Sequence, residues 1–157
     1  MRIRRVMTPL LLVSLCFATL RAYQNKDTEK SRTTSSDQDV ELTTVGETKL
    51  STGRRGTFRI YTARDGTKAT LTYGQFQSVN DAQHQVLNWL KLAQRVQSKG
   101  QMKGESGQVT GDRIVATAKN VRTGGRKFLI IRRDSLNCYL IESQSLPVAM
   151  QVEELTK

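Results

Sequence analysis

One histidine, His84, and two cysteines, Cys16 and Cys138, are the only imidazole and thiols in this 157-residue chain. Any nucleophilic or metal chemistry must be assembled from them or from carboxylates. A Ser-His-Asp or Cys-His arrangement would need His84 as its base, held by an orienting partner. No Ser-x-x-Lys, Gly-x-Ser-x-Gly or His-Glu-x-x-His pattern supplies a nucleophile or a second ligand. Glu153 and Glu154 are adjacent on a predicted helix and point in different directions, so they are not a dyad. Asp112, Asp134 and Glu142 do not follow calcium-loop spacing, and one His with one Cys cannot make a zinc site without two carboxylates. The sequence predicts a non-enzymatic protein with no catalytic residue, no metal ligand and no cofactor; the alternative is a small enzyme whose residues are brought together only by the fold.

The first 22 residues explain why only one cysteine counts. Arg2, Arg4 and Arg5 precede a mostly apolar run from Val6 to Leu20, and Ala18 and Ala22 offer small-residue cleavage points. This pattern predicts a secretory signal peptide over residues 1–22 and a periplasmic or secreted product. The alternative is a membrane anchor left uncleaved, but a spanning helix needs about 20 apolar residues and Pro9 interrupts this shorter run. Lipidation at Cys16 is disfavoured by the bulky Leu15 before it. Once the leader is removed, Cys138 stands alone in the apolar stretch Leu136 to Ile141, where an unpaired cysteine is expected as an inert core thiol.

Positive charge is the feature with functional content. Residues 51–157 hold 17 Lys+Arg against 8 Asp+Glu, a net charge of +9. Two runs dominate: Arg54, Arg55, Arg59, Arg64 and Lys68 around a first hairpin, and Lys119, Arg122, Arg126, Lys127, Arg132 and Arg133 around a second. The candidate anion-binding residues are Arg122, Arg126, Lys127, Arg54, Arg55 and Arg64. Such a field attracts polyanions and anionic membrane surfaces; the competing reading is solvated strand edges on which Lys and Arg deter edge-to-edge pairing. Nucleic acid is disfavoured, because stacking aromatics are few and no RNA-binding sheet signature is present. The expected partner is a protein or an anionic component of the cell envelope, and no span remains after signal cleavage.

The elements that must position these residues can be read from periodicity. Residues 23–56 are predicted to be a flexible polar tether, since Asn25 to Asp39 contain no aliphatic or aromatic residue, with a short strand proposed at Val40 to Val45. Residues 57–157 form the predicted domain, large enough for one core without staples. Thr57 to Ala63 and Lys68 to Tyr73 alternate as strands about an Asp65-Gly66 turn, with Phe58 and Ile60 expected to share a face with Ala69, Leu71 and Tyr73. A helix is predicted from Ser78 or Asn80 to about Ser98, with Ala82, Val86, Trp89, Leu90, Ala93 and Val96 on one stripe and Gly100 as its stop. Trp89 is expected in the core and His84 on the opposite surface. Gly100 to Gly111 reads as a mobile loop.

Strands follow at Asp112 to Val121, Lys127 to Arg132 and Leu136 to Ser143, then a short helix after Pro147. The prediction is an α+β fold ordered β-β-α-β-β-β-α, an antiparallel sheet of about five strands with one main helix and a short C-terminal helix. That order is similar to several small exported α+β folds, including the one shared by the photosystem extrinsic proteins. No motif is shared with them, and topology alone implies no function.

Overall fold

The computed structural model describes residues 40–157; the expected leader and residues 23–39 of the expected tether lie outside them. Seven strands form one antiparallel sheet, β1 (Val40–Lys49), β2 (Arg55–Ala63), β3 (Lys68–Gln75), β4 (Arg95–Lys103), β5 (Val109–Lys119), β6 (Arg126–Asp134) and β7 (Asn137–Ser143), in spatial order β1-β2-β3-β7-β6-β5-β4. Helix α1 (Val79–Leu90) follows β3, and α2 (Leu146–Glu154) closes the chain.

The fold class is the expected α+β with two helices, but the sheet has seven strands rather than about five. Both added strands are edges. An edge strand need not bury a face, so the alternation used to recognise strands is absent. Every β4 residue but Met102 is exposed, which is why its sequence reads as polar loop. Val96, expected on the helix stripe, belongs to β4: the helix stops at Leu90, and Leu92 and Ala93 donate to the Trp89 and Leu90 carbonyls at 3.0 Å. Gly100 lies within β4 rather than ending a helix, and only the turn between Lys103 and Val109 remains of the expected loop.

At the other edge, β1 pairs with β2 from Val40↔Ala63 to Lys49↔Arg55, interrupted by a bulge at Thr43. Residues 40–49 therefore belong to the sheet and not to a tether. Val40 and Leu50 are buried, so the domain begins before Thr57.

The helices pack on opposite faces. Ala82, Val86 and Trp89 of α1 pack with Ile114, Ala116, Leu129, Ile131 and Leu140. Val148, Ala149 and Val152 of α2 pack with Tyr61, Ala69, Leu71, Ile130 and Ile141. This two-sided covering accounts for the unbroken apolar runs of β6 and β7. It also corrects the facing of the first hairpin. The register Tyr61↔Ala69 and Arg59↔Leu71 puts Arg59 and Tyr61, not Phe58 and Ile60, on the face of Ala69, Leu71 and Tyr73. The cause is the turn: Gly66 alone has positive φ (82°), and Asp65 Oδ1 accepts from the Thr67 amide at 2.8 Å. The connection is thus not the two-residue turn with both centres at positive φ.

The caps follow the sequence. Ser78 Oγ accepts from the Asp81 amide at 3.1 Å, and Pro147 sits in the first turn of α2.

Candidate anion-binding groove

The sheet order separates the six candidate cations. β2 carries Arg54 and Arg55 at its start and Arg64 just past its end; its nine residues span about 27 Å at the rise of an antiparallel strand. Arg54 donates to Gln77 Oε1 at 2.9 Å, and Arg55 lies 3.9 Å from Glu47 in an exposed pair. These two therefore form a separate patch at the far end. Their adjacency to Arg64 in sequence does not become adjacency in space.

The β2–β3 and β5–β6 turns lie at the same end, because β3 and β6 both flank β7 antiparallel to it, with Ala69↔Ser143 and Phe128↔Ser143. Between the turns lies an open groove of about 760 Å³, lined among others by Thr67, Lys68, Asn120, Arg122, Lys127 and Glu142. Lys68 and Lys127 lie in the first two residues of strands two places apart in the sheet, a lateral spacing of about 10 Å.

The β5–β6 turn is built by its own backbone. Asn120 Oδ1 accepts from the amides of Arg122 at 3.0 Å and Thr123 at 3.3 Å. Gly124 adopts φ 70° and donates to the Asn120 carbonyl at 2.8 Å. Arg122 and Val121 are thereby held outward, Val121 being 94% exposed.

Of the three candidates at the β5–β6 turn, Arg122 and Lys127 line the groove, whereas Arg126 does not. Lys127 pairs with Ala118 of the α1-side core, and Arg126 one residue earlier points to the α2 side. Lys127 is ion-paired with Glu142 of β7, both half-buried. Among the described residues the other acids at this end are Glu41, paired with Thr62 in the β1–β2 ladder, and Asp65. The Thr67 amide donating to Asp65 holds its carboxyl below the usual aspartate range, so it stays ionised beside Arg64. Lys68 belongs to the basic run of the first hairpin but not to the six candidates; its place in the groove follows from strand order, which composition does not encode. Arg132 and Arg133 leave the surface run altogether: both are buried, Arg133 against Asp112 at 2.9 Å.

The remaining reactive groups sit apart from the groove. His84 is exposed on α1. Cys138 is fully buried with its Sγ 3.3 Å from the Ala82 carbonyl; burial pushes its thiol up to about 12, against a smaller lowering by Arg133. Among the described residues no group of three or more His, Cys, Asp or Glu could hold a metal ion. Set beside known proteins, the chain matches no family model, no curated protein and no solved structure.

Proposed function

We propose that the chain is a non-catalytic binding domain working outside the cytoplasm, and that it holds an anionic envelope polymer across the groove between the β2–β3 and β5–β6 turns. One observation carries this reading: two turns 57 residues apart in sequence, Arg64 to Val121, meet at one sheet end and set Lys68 and Arg122 on a common groove. With Arg64, Lys119, Arg126 and Lys127 at the same end, six cations outnumber the acids there among the described residues, Glu41, Asp65 and Glu142. The groove is open and shallow-walled by strand ends, which suits a chain passing through better than a small molecule enclosed. The hydroxyls of Thr67 and Thr70 add neutral donors beside the cations. Export is supported by the basic start and apolar run of the first 22 residues.

The test is a titration of isotope-labelled protein with a heparin-derived oligosaccharide. The amides of Thr67, Lys68, Asn120 and Arg122 should shift together in a saturable way, and the response should weaken steeply with added salt. Shifts spread evenly over all surface cations would remove the groove as a site.

A further inference from the structure

The α2 face carries a second cleft, independent of the groove. Thr57, Tyr73, Tyr139, Arg132 and Arg113 are successive cross-strand partners, so they lie in one row across β2, β3, β7, β6 and β5. The end of α2 lies over the basic half of that row. Arg113 donates to both Glu153 oxygens at 2.7 and 2.6 Å, and Arg132 Nη2 donates to the Thr156 carbonyl at 2.7 Å. Beside this lid a cleft of about 410 Å³ opens over Arg59, Leu71, Tyr73, Tyr139, Leu155 and Thr156.

Charge on this face is out of balance. Glu153 is fully engaged by Arg113, and Glu154 by Lys157 at 2.5 Å. Arg132 is only 4% exposed, and its Nε and Nη1 have no hydrogen-bond partner among the described residues. A buried guanidinium without a carboxylate is costly and calls for an explanation. Two of its neighbours are cleft walls: Thr156, and the Tyr139 ring, whose centroid lies 4.4 Å from Arg132 Cζ. At the mouth, exposed Arg59 has no hydrogen bond or ion pair among the described residues. Among the described residues no Asp or Glu lines the cleft, and its other cation, Lys157, is held by Glu154.

We propose that this cleft binds a small aromatic monocarboxylate, its ring against Tyr73 and Tyr139 and its carboxylate on Arg59. The volume lies in the range of small-molecule sites and is too small for a polymer. Leu71, Leu155 and the two tyrosine rings, 5.2 Å apart and tilted by 37°, form a surface on which a third ring can pack. Burial raises the Tyr73 phenol above its ordinary value, so it stays neutral and does not repel an anion. Arg59 is the one unengaged cation at the mouth, which favours a single carboxylate. Arg132 acts from behind Tyr139 and Thr156 as a positioning residue, supplying a fixed positive potential that an anion in the cleft compensates.

The test is ligand-observed and amide NMR titration of the protein with 2-naphthoate, with neutral 2-naphthamide as its isostere. Naphthoate should saturate, shift the amides of Tyr73, Tyr139 and Thr156, and bind about tenfold more tightly than the amide. Arg59→Gln, at an exposed position that should not affect folding, should abolish that preference. Arg132→Met should lower naphthoate affinity and leave naphthamide unchanged, a charge-specific effect that a merely structural role would not produce. Equal binding of the two compounds, retention of the preference in Arg59→Gln, or shifts confined to the β2–β3 and β5–β6 turns would each overturn the assignment.

Discussion

Lys127 is ion-paired with Glu142 across the β6–β7 ladder, so one of the two candidate cations that line the groove, Arg122 and Lys127, is already neutralised inside it. Removing Lys127 does more than delete a positive charge, since it leaves a carboxylate where an anion must sit. Lys127→Ser should therefore weaken retention on an immobilised polyanion, whereas Glu142→Gln should free Lys127 and strengthen it by about two- to fivefold at low salt. Opposite shifts in elution salt for the two variants are the expected result. The pair is only half-buried, so neither change should move stability by more than about 1 kcal/mol.

The first strand is predicted to be indispensable. A chain starting at Ser51 lacks β1 and the buried side chains Val40 and Leu50, and it exposes β2 as a new edge. Such a truncation should fail to give a cooperative melt by circular dichroism, while a chain starting at Asp39 should melt as the full-length protein does. Limited trypsin digestion should accordingly leave Lys49 intact.

Trp89 is buried in the last turn of α1, in one cluster with Ala82, Val86, Ile114 and Leu129. Trp89→Ala should cost about 3–5 kcal/mol in urea denaturation, as expected for loss of a buried aromatic. A cost below about 1 kcal/mol would place the ring outside the core.

Cys138 gives a pH dependence with a definite sign. Its thiol is pushed up to about 12 in the folded chain, above the value near 8.5 of an unfolded cysteine. The unfolded state therefore releases this proton first as pH rises. The contribution is complete below about pH 8.5 and declines as pH climbs toward 12. Cys138→Ala should show a shallower loss of stability between pH 9 and 11 than the parent. Alkylation of Cys138 by iodoacetamide should be slow in the native protein and fast in denaturant.

The helices and inner strands were legible because each buries a patterned face: Ala82, Val86 and Trp89 repeat at helical spacing, and Ile130, Ile131, Leu140 and Ile141 fill strands covered on both sides. The two edge strands were not fully legible, since Arg95 to Gln101 expose every side chain and leave no periodicity to detect. Val96 falls seven residues after Trp89 and so mimics another helical turn, although the chain has already left the helix at Leu90. The site was legible in its chemistry but not in its membership. Sequence brings Arg54, Arg55 and Arg64 into one run, yet β2 holds them apart. Lys68 and Arg122 meet only because β7 inserts between β3 and β6, a long-range pairing with no local signature. Arg132 looked like surface charge because two adjacent arginines on a strand point to opposite faces, and here each face is covered.

The most direct test of the account removes the same charge from the two ends of the sheet. Lys68→Ser with Arg122→Ser takes two cations from the groove, and Arg54→Ser with Arg55→Ser takes two from the far end. Elution from heparin and from anionic vesicles, followed as a function of salt, compares the pairs at equal net charge. The groove pair should lose most retention and lower the slope of log affinity against log salt by about one to two, while the far pair should elute close to the parent. Equal losses from both pairs would show that retention follows net charge alone, and the groove would then not be the binding site.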